Sequence, residues 1–152
     1  MRMKLFFFSA VFTLLIIASF SFKVAGQEDR AQLMRDIRDT FSPLEAMLMG
    51  GAFEVIVIKS AELATLAQKI PPAFSTKATS LESRAKEEIW NDWKGFTQKS
   101  KELADALAGL ETAAKTSNAE KTEGQIKGVL MACKNCHRAF RLPQPEDEDK
   151  YQ

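Results

Sequence analysis

The chain has 152 residues, 27% charged and 45% hydrophobic, with 21 Lys and Arg against 20 Asp and Glu for a formal net charge of +1. That near-balance gives no electrostatic case for a nucleic-acid partner, and the length suits a single domain with one core. With only two cysteines and one histidine in the whole chain, metal or redox chemistry has very few residues to stand on.

Residues 1–26 read as an export signal. Arg2 and Lys4 form a positive start, Leu5 to Phe22 is apolar apart from small Ser and Thr, and the small residues of KVAG place a cut after Gly26. The alternative is an uncleaved anchor, because the apolar stretch is just long enough to span a bilayer. Cleavage is the favoured reading, since no stop-transfer charge cluster follows. It leaves 18 of the 21 basic residues against all 20 acidic ones, a slightly negative chain with no membrane partner. Export also puts the two cysteines in an oxidising compartment, the periplasm, where a pair is normally oxidised or covalently occupied.

The domain follows over residues 27–142. A first helix is expected from Glu28 to Leu48, where Leu33, Met34, Ile37, Phe41, Leu44 and Leu48 recur every three to four residues. Pro43 should kink it, and Gly50-Gly51 should end it. A second helix is expected over Phe53 to Lys69. The VIVI run from Val55 has strand propensity, but the recurrence of Ile56, Leu63 and Ile70 favours a helix. Pro71 to Ala85 reads as a loop. Ile89, Trp93, Phe96, Ser100, Leu103, Leu107 and Leu110 form the clearest seam, a third helix. Ser117-Asn118-Ala119-Glu120 has the pattern of a capping box opening a fourth helix. That helix carries Ile126, Val129, Leu130, Cys133, Cys136, His137 and Phe140 on one face and stops before Pro143. The tail, residues 143–152, is charged and reads as loose. Short connections between helices one and two, and between three and four, predict an all-α fold, an antiparallel up-down-up-down four-helix bundle.

Every cysteine and the single histidine fall in MACKNCHRAFR, residues 131–141. On a helix, Cys133, Cys136 and His137 face the same side. A structural zinc site wants four protein ligands, and no other Cys or His exists to complete one. A thioredoxin-like dithiol sits where a helix N-terminus stabilises the thiolate, whereas this pair lies near a helix C-terminus, where the dipole disfavours an anion. C-x-x-C-H is the attachment signature of c-type haem, and two thioether bonds with an adjacent imidazole suit a planar ring laid against the helix. Covalent haem, one haem c per chain, is the favoured reading of the three.

With those residues in place, the chain resembles the class II c-type cytochromes, namely cytochrome c′ and its low-spin, six-coordinate relatives. CKNCHRAFR is similar to the family's C-terminal CKxCHxxFR, EEIWNDWKGF to the segment opening its third helix, and RAQLM to a first-helix motif followed sixteen residues later by a glycine, here Gly50. The resemblance covers essentially the whole mature chain. It implies that Cys133 and Cys136 carry the thioethers and His137 is the fifth iron ligand. Met34 falls where the family places the residue over the opposite haem face, and Arg30 matches an arginine near a haem propionate. Arg141 matches a basic residue beside the ring. Each also has an ordinary explanation: a methionine on an apolar helix face is usually core filling, and Arg30 and Arg141 can be solvated helix-end charges.

The function expected from this resemblance is soluble electron transfer, with iron cycling between ferrous and ferric states and Met/His ligation raising the potential. The rival is a five-coordinate gas binder for nitric oxide or carbon monoxide. The family's gas-binding members often carry a tryptophan after the second helix, where this chain has IPPAF, so Trp90 and Trp93 read as packing residues. A peroxidase would need a distal His or Arg pair, and His137 is already used, so catalysis is not expected. Lys134, Arg138 and Arg141 around the attachment site suit an acidic redox partner. Dimers formed through the first two helices are common in the family, and the VIVI run offers a surface for a homodimer.

Overall fold

The computed structural model of the chain describes residues 25–77 and 83–143. All but the last two residues of the expected export signal lie outside the described residues, as does the charged tail from Gln144 onward. Among the described residues, no helix is long and apolar enough to cross a membrane.

The first expected helix is split in two. α1 spans Ala25–Phe41 and α2 spans Leu44–Met49. Pro43 breaks the helix instead of kinking it, and the chain turns through Ser42 and Pro43 before α2 begins. The break serves the core, because Leu44 immediately after it is completely buried. Gly51, with φ of +71°, turns the chain into α3 (Phe53–Gln68). Few side chains tolerate that backbone, so a glycine there costs least.

The VIVI run is helical, and tertiary packing divides it. Ile56 is fully buried beside Leu63 and Ile70, while Val55 and Ile58 are exposed. The expected loop from Pro71 starts later, since Ile70–Phe74 forms a short helix, α4, with both prolines in its first turn. Proline lacks a backbone donor, which the first turn does not use, so the PP pair that reads as a breaker can also start a helix.

The third expected helix is likewise two. α5 is a single turn, Glu88–Asn91, and α6 runs from Trp93 to Lys115. Asp92 leaves the helical conformation at φ −122° and ψ 61°, and its carboxylate accepts a hydrogen bond from the Gly95 amide at 2.9 Å. A Cβ at Gly95 would lie only 2.0 Å from the Asp92 carboxylate, so any side chain there would have to displace the capping group. The break rotates Trp93 out of the seam and leaves it partly exposed, while Phe96, Ser100, Leu103, Leu107 and Leu110 stay buried.

α7 covers Ala119–Phe140. Its cap is Asn118, not Ser117: the Asn118 side chain accepts from the Lys121 amide at 2.8 Å. Ser117 instead occupies the left-handed region at φ +51°, closing the turn from α6. Leu130, expected on the inner face, is partly exposed, whereas Ile126, Val129 and Phe140 are buried.

α1 with α2, then α3, α6 and α7 form an antiparallel four-helix bundle. α6 packs along both α3 and α7, and α1 rests on α3 and α4. Leu44, Ile56, Leu63, Leu107, Leu110, Ile126 and Val129 are almost wholly buried at its centre, each contributing about 1.5–3 kcal/mol through burial. The surface Lys–Glu and Lys–Asp pairs along the helices add little, because solvent screens them.

The α6–α7 turn is directly testable. Asn118→Ala should cost about 1 kcal/mol, and Ser117→Gly should stabilise by up to about 1 kcal/mol by relieving the left-handed residue. Thermal unfolding should therefore shift a few degrees in opposite directions for the two variants.

Candidate functional site

The site is built on the last two turns of α7, and the end of that helix is held from outside. The amides of Lys86 and Leu142 donate to the carbonyls of Phe140 (3.0 Å) and Arg84 (2.8 Å), and a β-bridge joins Ala85 to Arg141. Lys86 Nζ also donates to the Arg138 carbonyl at 3.1 Å. The last carbonyls of a helix have no intrahelical partners, and here the segment before α5 supplies some. Below the motif, Phe140 meets Phe96 edge-on with centroids 5.4 Å apart, and Phe96 packs on Phe74 at 5.3 Å.

Cys133, Cys136 and His137 are half-buried on one side of α7. No disulfide joins the cysteines. Burial pushes the Cys133 thiol up, and burial together with the neighbouring Cys133 pushes the Cys136 thiol up to about 11, against an opposing pull from Lys99. Both thiols are therefore protonated at neutral pH, opposite to the lowered pKa that a reactive dithiol needs. Burial, then the charges of Arg141 and Arg84, lowers the His137 pKa. A neutral imidazole is the form with a lone pair available to a metal. Among the described residues, no three His, Cys, Asp or Glu side chains converge to hold a metal ion by themselves. Two thiols beside one neutral imidazole are a donor set that fits a covalently attached haem.

Met34 is half-buried on α1 and packs against the same buried cluster that Cys133 and Cys136 border. α1 and α7 make at most marginal contact with each other, since α1 leans on α3 and α4 instead. The structure thus brings Met34 and the cysteine pair to one core from two helices that hardly touch.

Arg30, one turn before Met34, is not a solvated helix-end charge. It is buried, and its guanidinium donates to the carbonyls of Ala73, at 2.6 Å, and Thr76. The same group lies over the rings of Phe74 and Trp90, at 5.0 and 5.8 Å from their centroids. Trp90 Nε1 donates to the Phe74 carbonyl at 2.9 Å, closing the cluster. Arg141 is half-buried at the end of α7, where its amide donates to the His137 carbonyl at 2.9 Å.

Two features of the site are not legible as motifs. Phe74 belongs to a stretch that reads as loop, and only the rule allowing proline in a first turn would have placed it on a helix. Lys99 and Glu102, whose charges act on the Cys136 thiol in opposite senses, look in the sequence like any helical surface pair.

A bundle of this form with C-x-x-C-H on its last helix defines a helical c-type cytochrome. Residues 26–141 match the family model described as Cytochrome C′, and the chain belongs to the cytochrome c′ family, whose cofactor is covalently bound c-type haem. Cytochrome c′ of Rhodopseudomonas palustris is 30% identical over 134 residues, covering 84% of this chain and 90% of that protein. Cytochrome c′ of Rhodospirillum rubrum is 29% identical over 80 residues, 52% of this chain, and this match spans about half of that relative, 54%. Among solved structures, a nitric oxide complex of a mutant cytochrome c prime from Alcaligenes xylosoxidans superposes with a TM-score of 0.68 at 25% identity. It covers 78% of this chain and 94% of that one.

Replacing Arg30 with Ala removes two charge-assisted hydrogen bonds and both ring contacts. A loss of roughly 2–3 kcal/mol is expected, read as a lower midpoint in urea unfolding of the purified protein.

Proposed function

We propose that this protein is an exported, periplasmic electron carrier in which Cys133 and Cys136 hold the haem by thioethers. His137 supplies the fifth iron ligand and Met34 the sixth, with Arg30 and Arg141 beside the ring. The haem supplies an iron centre that passes between ferric and ferrous states. The observation that carries the reading is the packing of Met34, on a helix that makes at most marginal contact with α7, against the same core cluster as the two cysteines.

The other roles follow from the chain's own residues. His137 offers a neutral imidazole because burial and Arg141 oppose its protonation. The segment before α5 and the aromatic stack of Phe74, Phe96 and Phe140 brace the end of α7 and would limit the access of water to a ring held there. Arg30 fixes the first turns of α1 to α4, so Met34 is presented from a rigid element. Ligands already in place keep rearrangement on electron transfer small.

Lys134, Arg138 and Arg141 form no ion pair among the described residues, whereas Lys59, Lys77, Lys99, Lys101, Lys115 and Lys127 each do. Uncompensated cations around the attachment site favour a docking partner with an acidic surface. Val55 and Ile58 are exposed on α3, and Met49 lies exposed just before it, a surface suited to a homodimer.

A second reading, binding of nitric oxide or carbon monoxide at an open iron position, is favoured by the nitric oxide complex among the similar structures. The two readings differ at Met34. In the oxidised haem-loaded protein, low-spin bands with a sulfur-to-iron charge-transfer feature are expected. Met34→Ala should convert them to high-spin bands while leaving the haem attached. High-spin bands in the unmutated protein would establish the gas-binding reading instead. For the dimer, gel filtration should show Ile58→Glu eluting later than the unmutated protein at the same concentration.

A further inference from the structure

Met34 and His137 stand on helices with at most marginal contact, so the distance between them is set through other elements. At one end α2 rests on α7, and α1 joins α2 through the turn at Ser42 and Pro43. Arg30 and Met34 lie toward the other end of α1, where a relay of hydrogen bonds connects α7 to α1. It begins at residues 84–86. Arg84 Nη2 donates to the Leu142 carbonyl at 2.7 Å, and Lys86 donates through its amide to Phe140 at 3.0 Å and through Nζ to Arg138 at 3.1 Å. Arg138 directly follows His137, so these bonds hold the turn that carries the imidazole. The relay continues into α5, where the amides of Ile89 and Trp90 donate to the Lys86 and Glu87 carbonyls. Trp90 Nε1 then donates to the Phe74 carbonyl on α4 at 2.9 Å. Beside it, the carbonyls of Ala73 and Thr76 accept from Arg30, one turn before Met34.

We propose, on the ligand set of the proposed function, that Lys86 and Trp90 are positioning residues. The relay they complete sets the separation of α1 from α7, and with it whether the Met34 sulfur reaches the iron. Each joint is a single polar contact made by a half-buried side chain, and one such bond weights an arrangement by roughly 2- to 12-fold. With a joint removed, Leu33 and Ile37 still anchor α1 in the core, while its first turns can pivot about the Ser42–Pro43 turn. An axial thioether tolerates little displacement, so a small pivot exchanges a six-coordinate centre for a five-coordinate one.

The test reads ligation and spacing separately in the haem-loaded protein. Cyanide competes with Met34 for ferric iron, so its affinity rises as the methionine is held less firmly. Trp90→Phe keeps a ring beside Arg30 but removes the Nε1 donor, and Lys86→Met keeps the stem but removes the ammonium. Each should raise cyanide affinity by roughly 2- to 12-fold, and Lys86→Arg, which retains a donor, should return it close to the unmutated value. Asn118→Ala loses a cap at the far end of α7 at a similar cost in stability and should leave cyanide affinity unchanged. Spacing is read by pulsed EPR between nitroxides on Ala31→Cys and Gly128→Cys. Both positions are exposed, and a Cβ at Gly128 meets nothing within 4 Å. Trp90→Phe and Lys86→Met should each broaden the distance distribution. Distances unchanged in both variants would overturn the proposal, as would an equal rise in cyanide affinity in Asn118→Ala. High-spin bands in the unmutated protein would remove Met34 as a ligand and leave the relay to stand or fall on the distances alone. Unmutated protein that carries no covalent haem would sink both readings.

Discussion

Cys133, Cys136 and His137 can serve one planar group only while α7 keeps its helical register to its end, because three- and four-residue spacing puts them on one side in no other backbone. The end of a helix is where that register is weakest, since its last carbonyls lack partners. In this protein the segment before α5 crosses the end of α7 and makes backbone hydrogen bonds on either side of Arg141, to Phe140 and Leu142. Phe140 itself is anchored against Phe96. The site is thus braced from outside the helix that carries it, and the cysteines can be half-buried without the end of the helix fraying.

The aromatic stack that anchors Phe140 continues through Phe96 and Phe74 to Arg30. A buried guanidinium is costly unless its donors are satisfied, and here two backbone carbonyls near the end of α4 and two aromatic rings surround it. That arrangement ties α1 to α4 and α5, while α1 and α7 make at most marginal contact. Contact between the two helices that bear Met34 and the cysteines is replaced by contact with their neighbours. In a bundle filled only by side chains such a separation would forfeit packing, whereas in a bundle built around a cofactor it is the useful geometry.

Electrostatics in the site follow burial more than charge. Desolvation is the largest cause of the raised cysteine and lowered histidine pKa values, and all three groups are held neutral. Neutral thiols suit permanent covalent attachment better than reversible thiol chemistry. The charges that do approach, Arg84 and Arg141 near His137 and the Lys99–Glu102 pair near Cys136, lie on the rim, where solvent moderates them.

The amino-acid sequence by itself determined the helical class, the number of long helices and the attachment motif, because apolar periodicity and fixed ligand spacing are local properties that a helix reads directly. It also marked Ile56, Leu63 and Leu107 as core. The sequence placed an interruption at Pro43; tertiary structure decided that it is a full break and that a second one falls at Asp92. Leu44 is drawn into the core beyond Pro43, and Asp92 caps α6 in the middle of a continuous-looking seam. Asn118, with a conformation that frees its side chain to accept a hydrogen bond, takes the role that Ser117 seemed to hold. It likewise decided that Arg30 is buried, with its guanidinium on the carbonyls of Ala73 and Thr76. Those outcomes depend on which elements meet across the bundle, and one helix's pattern carries no information about the residue waiting on another.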